Sequence, residues 1–228
     1  MKVSTKGLLF DMDGVLISSI ASVNRCWRRW AAHYGVANAD QVTISHGSRA
    51  VDIMRGFRPD FSAEQFVEGL RLIEDMEIAD VEDLKVLPGV RELLASLPPE
   101  RWTIVTSATR RLLIGRLKAA GLPFPAELIA ADDVVNGKPH PEPYQKGAAL
   151  LGFTSAECIV VEDAPAGVGA GVAAGSPVLG VLGTHGVAEL FGAGATYVAA
   201  TLLGARAVLV DGELQVEFES VDGTHSSR

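Results

Sequence analysis

Cysteine is nearly missing from this chain: Cys26 and Cys158 are the only two in 228 residues. So few thiols point away from a disulfide scaffold. Cys26 sits in a helical stretch beside Trp27 and Trp30, and Cys158 leads the apolar run IVV, so both read as reduced, part-buried side chains. Their pairing is left open by arithmetic alone. No run of 18 apolar residues occurs, and MKVSTKG leads straight into a strand without a signal-peptide apolar region. A cytoplasmic protein with no membrane span is therefore expected. Basic charge is also scarce, with 20 Lys and Arg against 28 Asp and Glu and a net charge of −8. That balance argues against a nucleic-acid partner, because a phosphate backbone needs a basic face to displace its counterions. An anionic small substrate would need local cations for its capture. What the chain does have is 48% hydrophobic content, enough at this length for one ordinary core and a smaller second module.

In the stretch GLLFDMDGVL, residues 7–16, two acids interrupt an apolar run. Residues 8–10 and 15–17 read as short buried strands, which puts Asp11 and Asp13 where the chain leaves the core. Two readings are open: an Asp-Gly hairpin turn, or a carboxylate pair at a strand end that holds a hard cation and offers a nucleophile. Residues 19–86 read as helical, with VTIS (42–45) the one strand-like run. From residue 87 onward strands alternate with helices of about ten to fifteen residues, which implies right-handed crossovers and a parallel sheet covered on both faces. The expected fold is α/β: a doubly wound, Rossmann-like parallel-sheet core at 1–17 and 87–228, with an inserted α-helical cap domain at 18–86. Ligands bind beyond the carboxyl ends of such strands, so an insert rooted there serves as a lid. The tail predicts a hairpin around Asp211-Gly212 and frayed final residues.

Three further strand ends carry polar groups. One run ends at Thr106-Ser107, another at Glu162-Asp163, and Lys138 opens a helix between them. Taken singly, such residues are helix caps or solvated charges. Taken together, acids at separate strand ends form an oxygen cage for Mg²⁺, while a hydroxyl and an ammonium complete a cradle for a phosphoryl group. Asp11 would attack phosphorus, its repulsion from the phosphate offset by Mg²⁺ and Lys138.

With DMDGV, TSA, the lysine of GKPHPEPY and VVEDAPAGVGAG in this order, the sequence resembles the haloacid dehalogenase superfamily of phosphatases over nearly its whole length. The resemblance implies that Asp11 is the nucleophile, forming an aspartyl-phosphate, and that Asp13 is the general acid and base. It implies that Asp163, helped by Glu162, holds Mg²⁺ together with the Asp11 carboxylate and the Asp13 backbone carbonyl. Ser107 and Lys138 would bind the phosphoryl oxygens. The dehalogenase members lack the second aspartate, so Asp13 points to phosphoryl chemistry. In the insert, ISHGSRAVD followed by FRPDFSAEQFVEGL resembles the caps of the subgroup that dephosphorylates glycerol phosphate and 2-deoxyglucose 6-phosphate. His46, Gly47 and Arg49 are then the cap residues over a small phosphate-ester substrate. An arginine at a helix start is ordinarily solvated, and a histidine there can cap a helix; the lid position favours Arg49 over His46. A monomer is expected, since a lid must move freely.

Three rivals bear weighing. The glycines of 167–175 do not match the G-x-G-x-x-G spacing of a dinucleotide site and read as a small-residue helix packed on the sheet. Phosphoacceptor signalling modules also use an aspartate, Mg²⁺, a hydroxyl and a Lys-Pro, but lack a helical lid after the first strand. The β-phosphoglucomutases of the same superfamily share DxDGV, but carry a histidine on the first cap helix and a lysine later in the cap. Here Val23 stands in the first place, and 71–83 contains no lysine, so hydrolysis is expected.

Overall fold

The computed structural model describes residues 1–44 and 47–221. Its centre is a five-stranded, wholly parallel sheet. Strand β2 (Gly7–Phe10) lies between β5 (Trp102–Ile104) and β6 (Cys158–Glu162), and β7 (Val178–Val181) and β8 (Tyr197–Ala199) continue the order β5-β2-β6-β7-β8. Every residue of β2 is buried, as a parallel strand covered on both faces must be. The pleat divides its side chains. Leu8 and Phe10 join the cluster packed with α4 (Val90–Ser96) and α5 (Arg110–Ala120). Leu9 joins the opposite cluster, with α6 (Glu142–Leu150), α7 (Pro165–Ala173) and α8 (Val187–Gly192). One apolar run thus anchors two layers, and the doubly wound reading holds.

The pairing of β2 removes the hairpin alternative for 7–16. Both its neighbours are parallel, and residues 17–18 pair elsewhere, as β3 (Ile17–Ser18) with β4 (Lys85–Val86). That two-stranded antiparallel ribbon is the stem through which the chain leaves the core and returns. Beyond it stand α1 (Ile20–His33), α2 (Ala50–Phe57) and α3 (Ala63–Ala79), which bury a cluster of their own around Trp27, Trp30, Met54, Phe61 and Ile73. Helix α1 supplies Val23, Trp27, Trp30 and Ala31 at helical spacing. Helix α3 begins in a capping box, Gln65 N–H donating to Ser62 Oγ at 3.2 Å and Ser62 N–H to Gln65 Oε1 at 2.8 Å.

Two expected strands are not formed. Residues 42–44 of VTIS are irregular: Arg28 Nε donates to the Val42 carbonyl and Asn24 Oδ1 accepts from Ile44 N–H, so α1 side chains satisfy this backbone in place of a ladder. Residues 127–131 reduce to a single bridge between Ile129 and Val105, because the chain turns at once into the 3₁₀ segment Ala131–Asp133, where Asp133 accepts from the Ala130 N–H. The Asp211-Gly212 hairpin is present between β9 (Arg206–Val210) and β10 (Glu213–Glu217), both turn residues having positive φ. Strand β10 also pairs with β1 (Lys2–Thr5), a strand without a counterpart among the sequence expectations. The final residues, 222–228, and the candidate His46 lie outside the described residues.

Candidate active site

The carboxyl edge of the sheet brings the separated motifs together. Asp11 follows β2, Glu162 ends β6 and Asp163 comes next; one oxygen from each lies within 4.8 Å of the others. Lys138 enters among them. Its Nζ donates to Asp11 Oδ1 at 2.7 Å, to Glu162 Oε1 at 2.6 Å and to the Val105 carbonyl at 3.1 Å. Burial disfavours this ammonium, yet Asp11 and Glu162 outweigh it and hold the Lys138 pKa above the ordinary lysine value. Burial pushes the Asp11 carboxyl up to about 7 against the opposing pull of Lys138, with Glu162 adding to the rise. Asp163 is pushed up to about 8 by burial, then by Glu162 and Asp11.

Glu162 stands apart from the other acids in what it already accepts. Oε1 takes hydrogen bonds from Lys138 and from Tyr144 Oη at 2.8 Å, and Oε2 takes them from the N–H groups of Asp163 and Ala164 at 3.0 and 3.1 Å. A carboxylate has about four acceptor sites, and all are used. Helix α7 allows this crowding: a Cβ on Gly167 would sit 1.7 Å from Glu162 Oε1. Asp163 is the opposite case. Oδ2 accepts from Thr184 Oγ1, whereas Oδ1 is buried without any hydrogen-bond partner. Gly14, at φ +86°, leaves the space beside it open, since a Cβ there would lie 2.0 Å from Asp163 Oδ2. An orphaned buried carboxylate oxygen facing a second acid fits a hard divalent cation. Asp11 and Asp163 are the side chains that fit it, and Glu162 fits the task of holding Lys138 and the 162–164 turn.

Asp13 points away from this cluster. Ser19 Oγ donates to its Oδ1 at 2.6 Å and Arg116 Nη1 to its Oδ2 at 2.6 Å. Arg116 is 4% exposed and reaches Glu77 Oε2 on α3 with Nη2 at 3.0 Å. Ser107 Oγ donates to the Gly47 carbonyl at 2.7 Å. Asp11, Asp13, Ser107 and Gly47 line one cavity of about 70 Å³ between the sheet edge and the helical insert. Arg49 is absent from that lining. It precedes α2 and turns outward, Nε donating to Asp52 Oδ2 at 2.7 Å and Nη1 to the Val135 carbonyl at 2.9 Å, with Gly137 directly beneath its stem. The structure therefore brings Gly47 to the acids and places Arg49 on the seam between insert and core.

Arg116, Glu74, Glu77, Tyr144 and Thr184 have no counterpart among the sequence candidates. Arg116 had a legible signal: it falls on the buried face of α5 with Leu112, Leu113 and Leu117, where a charge must find a partner. Glu77 likewise falls on the buried side of α3 with Ile73.

The haloacid dehalogenase-like hydrolase family model matches residues 5–175, and the chain belongs to that family. The Escherichia coli hexitol phosphatase A is 40% identical over 77% of this chain and 82% of its own. The glycerol-1-phosphate phosphohydrolase 2 of Saccharomyces cerevisiae is 35% identical over 81% and 77%. The 2-deoxyglucose-6-phosphate phosphatase 1 of that yeast is 32% identical over 85% and 87%. These names bear out the resemblance to the glycerol phosphate and 2-deoxyglucose 6-phosphate subgroup. Among solved structures, a hydrolase from Pseudomonas syringae shares the fold with a TM-score of 0.74 at 24% identity, covering 86% of this chain and 94% of that one. Members of this family generally use a divalent metal. Among the described residues no helix is long and apolar enough to cross a membrane.

The raised carboxyls make a stability prediction. In the metal-free fold Asp11, Asp163 and Glu77 keep protons at pH values where the unfolded chain has lost them, so the folded state binds more protons and stability falls as pH rises. The fall starts near the ordinary carboxyl pKa and runs through about 7 to 8. Chelator-treated protein is expected to melt at a lower temperature at pH 8 than at pH 5. Mg²⁺ at a hundredfold over its Kd at pH 8 adds about 2.7 kcal/mol there, roughly 5–10 °C for a chain of this size, and the same concentration adds less at pH 5, where protons compete for Asp11 and Asp163. An equal or smaller gain at pH 8 would place the cation away from Asp11 and Asp163.

Proposed function

We propose that the protein is a Mg²⁺-dependent phosphomonoester hydrolase acting on small sugar or polyol phosphates, such as glycerol phosphate, a hexitol phosphate or 2-deoxyglucose 6-phosphate. The observation that carries the reading is the division of labour between two aspartates one residue apart. Asp11 is bound to Lys138 and faces Asp163, while Asp13 is held off that cluster by Ser19 and Arg116. Two carboxyls in different surroundings can serve as nucleophile and as acid-base catalyst at one pH.

In this reading an Asp11 oxygen attacks phosphorus, the P–O bond to the substrate carbon chain breaks, and Asp13 delivers its proton to the departing alkoxide. Asp13 then takes a proton from the water that attacks the aspartyl-phosphate, which releases inorganic phosphate and restores both acids. Lys138 and Ser107 hold the non-bridging oxygens. Ser107 must exchange its bond to the Gly47 carbonyl for one to phosphate, so arrival of substrate frees one contact of the insert. Mg²⁺ at Asp11 and Asp163 supplies positive charge that offsets the repulsion between nucleophile and phosphate. Glu162 keeps Lys138 charged and placed. Residues 18–86 form the cap over a core of 1–17 and 87–228, with the β3–β4 ribbon as its stem. Arg49 clamps the cap edge to the loop before Lys138. The reading includes a monomer in the cytoplasm, in keeping with Cys26 and Cys158 as buried free thiols.

The test measures inorganic phosphate released from glycerol phosphate, a hexitol phosphate and 2-deoxyglucose 6-phosphate with and without Mg²⁺, alongside phosphorus NMR of glucose 1-phosphate with added bisphosphate. Phosphate release that needs Mg²⁺, without glucose 6-phosphate formation, is expected. Val23 and Glu74 line the cavity, and the one cation of α3, Arg71, is exposed, so neither of the two places that carry the mutase histidine and lysine offers a cation to a second phosphate. Robust isomerisation with little phosphate released would make the protein a mutase. Release that survives chelation would sink the metal-assisted mechanism.

A further inference from the structure

Two acids on α3 have no part in the chemistry above. Glu74 and Glu77 are 9% and 6% exposed, yet both line the cavity that Asp11 and Asp13 line. They lie about one turn apart, beside Ile73 on the same side of the helix. A buried carboxylate without partners is costly, and each has found some. Glu74 accepts from Thr109 Oγ1 and from Arg111 Nη1 at 3.1 Å. Glu77 accepts from Arg116 Nη2 at 3.0 Å and has the Trp27 indole N–H beside it. With about four acceptor sites per carboxylate, both retain unused capacity, and both border the cavity that Asp11 borders. Trp27, Val23 and Ile73 line the same cavity.

Charge around these two acids is already one-sided. Asp13, Glu74 and Glu77 stand against two guanidiniums, Arg111 and Arg116, each bound to two acids. Burial pushes the Glu77 carboxyl up to about 7 despite Arg116, which shows how poorly the corner accepts more negative charge. Among the described residues that line the cavity the one Lys or Arg is Arg116, and it is already bound to Asp13 and Glu77, so none is left to receive a second anionic group on a substrate whose phosphate sits at Asp11. Hydroxyl groups, which donate and carry no charge, match the spare acceptors, while Val23 and Ile73 suit the C–H edges of a carbon chain.

We infer that Glu74 and Glu77, with Trp27, select phosphate monoesters whose other end is uncharged and rich in hydroxyls, and exclude esters bearing a second phosphate or a carboxylate. This rests on the phosphomonoesterase reading. A site whose buried acceptors lose their donors discriminates strongly, by 10⁴ or more in favourable cases, and like charges add to the exclusion.

The test uses the full-length, Mg²⁺-loaded enzyme and compares kcat/KM for glycerol 3-phosphate and sorbitol 6-phosphate with that for 2-phosphoglycolate and fructose 1,6-bisphosphate. The wild type is expected to favour the first pair by at least about 100-fold. In Glu74→Lys and Glu77→Gln the ratio should fall at least tenfold. Because the readout is a ratio, a general loss from disturbing Arg116 or the fold cancels. A wild-type ratio near one, or a ratio unmoved in both variants, overturns the inference while leaving the phosphatase standing. Release of phosphate from none of the four overturns the phosphatase reading and this inference with it.

Discussion

Replacing Asp11 with asparagine is expected to reduce phosphate release by at least about 10⁴-fold, roughly 5.5 kcal/mol of barrier, while the protein melts no lower than wild type. The two halves of this expectation have separate causes. The amide cannot form the acyl phosphate, so the covalent route closes. The stability half follows from the cluster: Asp11 is 4% exposed beside Glu162 and Asp163, and its carboxyl is pushed up to about 7 by that burial. Above that pH asparagine removes one unfavourable buried charge and keeps an oxygen that can accept from Lys138. In the metal-free protein at pH 8 the variant is therefore expected to melt above wild type. Phosphate release assays and thermal melts on the same preparations check both halves. Turnover within tenfold of wild type would remove Asp11 from the chemistry, and a marked drop in melting temperature would make it a structural acid.

Lys138→Met should produce the largest loss of stability. Lys138 is 8% exposed and, among the described residues, its ammonium is the one cation bonded to both Asp11 and Glu162. Removing one partner of a buried pair leaves the other charge uncompensated, at a cost of about 3–5 kcal/mol, a large share of the 5–15 kcal/mol typical of a folded domain. For a chain of this length that is roughly 6–20 °C in melting temperature. Activity should vanish as well, since in the proposed mechanism the phosphoryl oxygens lose their buried cation. The double variant Lys138→Met/Glu162→Gln separates the two consequences: neutralising Glu162 should restore part of the stability and none of the activity. A double variant no more stable than the single one would show that Lys138 holds the fold by packing its stem and not by pairing charge.

Arg49 shows what a residue's place in the sequence leaves open. The residue stands at the rim of the insert, as ISHGSRAVD suggests, yet its guanidinium is engaged with Asp52 and the Val135 carbonyl. The acid three residues on in its own helix offers a short-range partner, and the loop before Lys138 offers a carbonyl at the right distance. Nothing in the cap segment itself tells an arginine whether to face the cavity or the seam.

The sequence by itself determined the parallel sheet, the helical insert after the first strand, and the gathering of Asp11, Ser107, Lys138 and Asp163 near one edge. Those follow from local rules: apolar runs mark buried strands, crossovers put successive strand ends on one side, and polar residues that end such runs emerge there. The tertiary structure decided which partner each charge takes. Glu162 became fully occupied because its carboxylate sits where a Cβ at position 167 would stand, within reach of Lys138, Tyr144 and two backbone N–H groups. Arg116 came to Asp13 from 103 positions away and to Glu77 from 39. Periodicity reports which face of a helix is buried, but hydrogen bonds and ion pairs act over about 3 Å, so their partners are set only when two distant segments are packed to that distance.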